Sequence, residues 1–134
     1  MDTVTDSGPG LSVYVRSERR CVIATLSGEL DSTCAPALRE QLLALLRPGT
    51  GRLVIDLSRV SYADASGLAV LVGTRHRAGL LGGFLRLAAP APAVAKVLHV
   101  TGLHRQLDVF RTVQAAITSP GVASVGWTAK RTRT

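Results

Sequence analysis

Ser66 is the residue of this sequence with the clearest claim to chemistry. It stands in VSYADASGLAVLVG, residues 60–73, where the polar turn Asp64-Ala65-Ser66-Gly67 separates an apolar strand-like run from an apolar helix-like run. A serine at a strand-to-helix turn suggests a hydrolase nucleophile, but that elbow needs glycines two residues to either side of the serine. Those positions hold Asp64 and Leu68. His76 and His99 fall in helical patterns and His104 in a loop, so no general base is placed beside Ser66. A phosphate-binding loop is also missing: GLLGG, residues 79–83, lacks the lysine such a loop requires and reads as a stop between a helix and a strand. Glu29, Asp31, Asp56 and Asp64 could suggest acid–base or metal chemistry, yet no histidine joins them at ligand spacing. The chain therefore offers no catalytic constellation and no metal site. For Ser66 two roles remain open, the cap of a helix or a hydroxyl that another protein modifies.

The polar turns that survive are SGELDST, residues 27–33, and YADASGL, residues 62–68. Each follows a strand-like run. Loops at the carboxyl ends of parallel strands gather on one rim of an open sheet and commonly form its binding site. If the two strands are neighbours, Asp31 and Ser66 belong to one surface.

The elements that would position these turns read as follows. LSVYVRS (11–17) alternates apolar and polar residues and CVIATLSG (21–28) follows a charged turn, which predicts a hairpin. A helix is expected over 31–49, with Asp31, Ser32 or Thr33 as its cap, Pro36 in its first turn and Leu38, Leu42, Leu45 and Leu46 as its buried stripe. RLVIDLS (52–58) is nearly continuously apolar, the pattern of a strand covered on both faces. A second helix (65–83), a strand (84–89), a third helix (91–102), a short strand (107–110) and a last helix (111–118) complete a β-β-α-β-α-β-α-β-α order. After the hairpin, that alternation predicts parallel neighbours with helices packed against the sheet.

Length and composition fit one domain: 134 residues, 46% hydrophobic but only 4% aromatic, hence an aliphatic core. The net charge of +7 includes Lys130, Arg131 and Arg133 near the end, and the other basic residues are scattered. Without a basic stripe interleaved with aromatics, direct nucleic-acid binding is not expected. No apolar run reaches the 18 or so residues of a membrane span, and residues 1–10 lack a signal-peptide core, so a cytoplasmic protein is expected. Cys21 and Cys34 are not at metal-ligand spacing and read as small core or near-surface residues.

GELD (28–31), LVIDLSRVSYADASGL (53–68) and VTGLHRQLDVF (100–110) occur in the order and spacing of STAS domains of the anti-sigma factor antagonist (anti-anti-sigma factor) type. The chain resembles that family from about residue 11 to 117. The resemblance implies an α/β STAS fold, a central mixed β-sheet of four to five strands with about four α-helices packed against it. Residues 1–10 would be a flexible N-terminus, 11–117 the domain and 118–134 a basic, disordered tail. It also implies a bacterial regulator of transcription rather than an enzyme, working by partner switching and without a cofactor. In the family the serine before Gly-Leu is phosphorylated by an anti-sigma factor that is also a serine kinase, and a PP2C-like phosphatase resets it. The unphosphorylated antagonist binds the anti-sigma factor and releases the sigma factor. By motif the phosphoacceptor is Ser66, with Asp64, Gly67 and Leu68 completing its motif and Asp31, flanked by Glu29, Ser32 and Thr33, near the docking surface. Ala65 departs from the pattern, where many relatives carry a hydroxyl, and leaves Ser66 as the motif's single acceptor. The alternative within the family is a module that binds a nucleotide or other small ligand in a sensory complex.

Overall fold

The computed structural model describes residues 3–6 (backbone only), 10–47 and 51–120. The hairpin forms first in the chain: β2 (Leu11–Glu18) and β3 (Cys21–Leu30) pair antiparallel from Leu11↔Gly28 to Glu18↔Cys21. The two-residue turn Arg19-Arg20 has φ of 52° and 67°. Positive φ at both central positions lets a tight turn follow the right-handed twist of its strands, although residues with side chains adopt it at a cost. Then come α1 (Ala35–Leu45), β4 (Arg52–Ala63), α2 (Ala65–Leu80), β5 (Phe84–Ala88), α3 (Pro92–Val100), a 3₁₀ turn (Leu103–Arg105), β6 (Asp108–Phe110) and α4 (Val113–Thr118). β3, β4, β5 and β6 are parallel neighbours in that order.

The architecture is the expected mixed α/β sheet with four helices, but the sheet has six strands rather than four or five. The additional strand, β1 (Thr3–Asp6), pairs antiparallel with β2 and lies in the segment expected to be a flexible N-terminus. Its TVTD sequence is rich in β-branched residues, and β2 offers it an open edge.

Alternate residues of the inner strands feed two apolar layers. Val22, Ala24, Leu53, Ile55, Leu85 and Leu87 pack with the faces of α1, α2 and α3, whereas Cys21, Ile23, Val54 and Ala88 pack with Ala116 and Ile117 of α4. Both faces of β4 are thus covered, as its continuous apolar run required. The stripe of α1 is buried at Leu38, Leu42 and Leu46 and partly at Leu45. Cys21 and Cys34 are both buried free thiols.

β4 runs past the expected end at Ser58 to Ala63. Its register with β3 slips between Thr25 and Ser27 and again between Gly28 and Glu29, so β4 takes up an extra residue at each place. These bulges change its burial from the continuous run Leu53, Val54 and Ile55 to every third residue, at Leu57, Val60 and Ala63. A search for alternation therefore loses the strand.

One charged residue lies inside the second layer. Arg86 of β5 is 1% exposed, and its guanidinium donates to the carbonyls of Ala116 (2.8 Å), Ser119 (2.9 Å) and Pro120 (2.8 Å). It lies 3.9 Å above the Phe84 ring, and the Asp108 carboxylate opposes the desolvation that pulls its pKa down. The end of α4 is thereby tied to the middle of the sheet. Ser119 and Pro120, expected in the tail, belong to this contact. The rest of the expected tail, 121–134, lies outside the described residues.

Candidate functional site

The two polar turns do leave neighbouring strands. Glu29 pairs with Tyr62 and Leu30 with Ala63 at the ends of β3 and β4, and the Asp64 N–H donates to the Leu30 carbonyl at 3.1 Å. Asp31 and Asp64 therefore follow the last paired residues side by side.

Asp64 and Ser66 are both good capping types, and the structure assigns the cap to Asp64. Its backbone is extended (φ −122°, ψ 175°), and its Oδ1 accepts from the Gly67 N–H at 2.9 Å. Leu68 N–H then donates to the Asp64 carbonyl at 3.0 Å, the first bond of the helix. Ser66, in the first turn of α2, is exposed, and its hydroxyl has no hydrogen-bond partner among the described residues. Ala65 beside it is exposed as well.

Gly67 is buried because α2 begins against the end of β3. A Cβ at this position would lie 2.3 Å from the Leu30 carbonyl oxygen and 2.9 Å from the Asp31 nitrogen. Any side chain here would push the two turns apart. Gly28 does similar work in the GELD element. At φ 114° it lets Gly10 pass, where a Cβ would lie 1.9 Å from the Gly10 oxygen.

Asp31 does not cap α1, and neither do Ser32 and Thr33. The cap position is Cys34, without a side-chain cap bond. Asp31 instead closes the preceding turn, its Oδ1 accepting from the Thr33 hydroxyl (2.6 Å) and the Thr33 N–H (3.0 Å). An Asp that bonds backbone two residues onward makes a turn of its own, which competes with capping. Those bonds, the hydroxyl's first, hold the Asp31 carboxyl below its ordinary pKa. The Cys34 thiol donates to the Asp31 carbonyl (3.3 Å), and burial raises its pKa.

Glu29, Ser32 and Thr33 are exposed on the same rim. Leu68, which completes the motif by resemblance, is fully buried in the core, because its place in the first turn of α2 points it at the sheet. The residue that sequence reasoning missed is Tyr62, 49% exposed and paired across the strands with Glu29. Its signal was an aromatic just before Asp64, hidden by the bulged phase of β4. Among the described residues no cluster of His, Cys, Asp and Glu could hold a metal ion.

An open mixed sheet with an acidic, hydroxyl-bearing rim at the carboxyl ends of its parallel strands defines the class. Residues 12–116 match the STAS domain family. An anti-sigma-B factor antagonist of Bacillus subtilis is 34% identical over 99 residues, covering 74% of this chain and 90% of the relative. Among solved structures, an anti-sigma factor antagonist from Mycobacterium paratuberculosis superposes with a TM-score of 0.72 at 30% identity, covering 81% of this chain and 92% of that one. The anti-sigma factor antagonist SpoIIAA in its unphosphorylated form superposes with a TM-score of 0.65 at 25% identity, covering 78% and 92%. The chain belongs to the STAS-domain family of anti-sigma factor antagonists.

Proposed function

We propose that this protein is a phosphorylation-switched anti-sigma factor antagonist acting in the bacterial cytoplasm. Unphosphorylated, it binds an anti-sigma factor that carries serine kinase activity, and the sigma factor is released. Phosphorylation of Ser66 ends that binding, and a PP2C-like phosphatase restores it. The observation that carries the reading is the division of labour in the first turn of α2. Asp64 supplies the cap, and the Ser66 hydroxyl is exposed, without a hydrogen-bond partner among the described residues, and available to a kinase. The relatives named as antagonists support the binding role, and the description of SpoIIAA as unphosphorylated supports a phosphorylated counterpart in that protein.

The physics of the switch is local. A phosphate on Ser66 adds about −1.5 to −2 charges at neutral pH. The amino end of α2 tolerates that charge, so the domain keeps its fold. Glu29, Asp31 and Asp64 already make the rim acidic, and a partner that docks there meets a sharply more negative surface. A coupling of about 1–3 kcal/mol, five- to 150-fold in affinity, suffices. Incubation with ATP and the cognate anti-sigma factor, followed by intact mass, is expected to add one phosphate to wild type and none to Ser66→Ala. Wild-type affinity in Ser66→Asp would refute the switch.

A further inference from the structure

The end of the sheet opposite Ser66 carries the contrary charge. Arg19 and Arg20 form the β2–β3 turn there, Arg52 begins β4, Arg77 lies in the last turn of α2, and Arg105 precedes β6; all are exposed. The acidic groups described at this end are engaged: Glu18 pairs with Arg16, and Asp108 lies beside Arg86. Two of the three large hydrophobic residues described as exposed stand on the same end. Leu80, 67% exposed, is the last residue of α2, and Val100, 74% exposed, is the last residue of α3. α2 packs against α3 and against the 3₁₀ turn that carries Arg105. The end of α2 is also pressed onto the start of β4, since a Cβ on Gly83 would lie 2.0 Å from the Gly51 oxygen. Leu80 thus lies one turn after Arg77 and near the start of β4, where Arg52 stands.

We infer that this end is a peripheral docking surface for a membrane containing anionic phospholipid, which the protein would touch without spanning. Arginines spread across the sheet end suit a broad field of phosphates, and each basic residue near an anionic bilayer raises affinity about fivefold. Leu80 and Val100 are single aliphatic tips on helix ends, not a continuous patch. A protein partner needs roughly 1,000 Å² of complementary surface to use such residues, whereas the interfacial zone of a bilayer accepts isolated apolar side chains between charged ones. Arginine stems add apolar contact while their heads stay at the phosphates. Docked by this end, the protein would hold Asp31 and Ser66 away from the lipid, open to a partner in solution. The inference uses charge and exposure at the far end and does not depend on the phosphorylation reading.

The test is co-sedimentation of the full chain with phosphatidylcholine vesicles and with equimolar phosphatidylcholine–phosphatidylglycerol vesicles, at low and high salt. Binding is expected only to the anionic vesicles and is weakened by salt. R19E/R20E is expected to lower vesicle affinity by about 25-fold or more, the effect of losing two basic residues with the reversed charges adding to it. L80S/V100S, which leaves the net charge unchanged, is expected to lower it several-fold, with far-ultraviolet circular dichroism unchanged in both variants. Three results would overturn the inference: no binding to anionic vesicles at low salt; binding that both variants retain, which assigns it to Lys130, Arg131 and Arg133; or a loss in R19E/R20E matched by equal binding to RNA or polyglutamate and no loss in L80S/V100S, which makes the end a general polyanion surface.

Discussion

Replacing Gly67 by alanine tests the contact that joins the two turns. The new methyl carbon would lie 2.3 Å from the Leu30 oxygen, 2.5 Å from the Leu30 carbonyl carbon and 2.9 Å from the Asp31 nitrogen. All three are backbone atoms, so no side-chain rotation relieves the clash, and either α2 must tilt or β3 must give up its end. Overpacking of this kind costs about 1–3 kcal/mol. Against it stands the preference of a helix for alanine over glycine, about 1 kcal/mol. The net expectation is a loss of up to about 2 kcal/mol. Gly73 provides the control within the same helix, since a Cβ there meets nothing within 4 Å. Gly73→Ala has the propensity gain without the clash and is expected to stabilise by up to about 1 kcal/mol. Urea unfolding of both variants would then show midpoints on opposite sides of wild type, about 1 M apart for slopes of about 1–3 kcal/mol per molar. If Gly67→Ala were as stable as Gly73→Ala, the close approach at Leu30 would be an easily yielding contact and the argument would fail.

Asp64→Ala is expected to cost about 1 kcal/mol in urea unfolding and Ser66→Ala less than about 0.5 kcal/mol, because the first carries the cap bond and the second carries none; the reverse order would hand the cap to Ser66. Changing Arg19-Arg20 to Asn-Gly is expected to raise the thermal midpoint, by about 1 kcal/mol of stability, since those residues tolerate the positive φ observed at both positions. The depressed Asp31 pKa implies stability that is present above its ordinary value of 3.8 and lost as pH falls through the folded-state value. The stability advantage of wild type over Asp31→Asn should therefore shrink in urea titrations as pH is lowered through that range, and an advantage that grows would reverse the sign.

Much of the fold was legible because its inner strands are simple. The run Leu53–Ile55 is apolar on both faces, and Pro and Gly punctuation separates the strands from the helices, so the parallel core followed from pattern. The losses have separate physical causes. β4 beyond Ser58 was hidden by the two bulges, past which a continuous apolar run gives way to one buried residue in three. β1 depends on an open edge of β2, which the local sequence of residues 3–6 does not reveal. At the site, residue types placed Asp31, Asp64 and Ser66 on one rim but could not apportion their work. Asp64 and Ser66 are comparable caps in isolation, and only the bond to Gly67 N–H decides between them. Arg86 reads in FLRLA as an ordinary exposed position of an alternating strand; its burial depends on carbonyls 30 or more residues away.

Arg86 also decides where this domain can be cut. A fragment ending at Ile117, the boundary suggested by pattern, would remove the Ser119 and Pro120 carbonyls and leave the guanidinium with the Ala116 carbonyl as its remaining bonded acceptor. Leaving buried guanidinium donors without acceptors costs about 1–3 kcal/mol each, a large share of the stability of a domain this size. The shortest fragment that keeps the Arg86 guanidinium fully hydrogen-bonded therefore runs through Pro120, two residues beyond the last helical one, and its right-hand edge is set by a residue in the middle of the sheet.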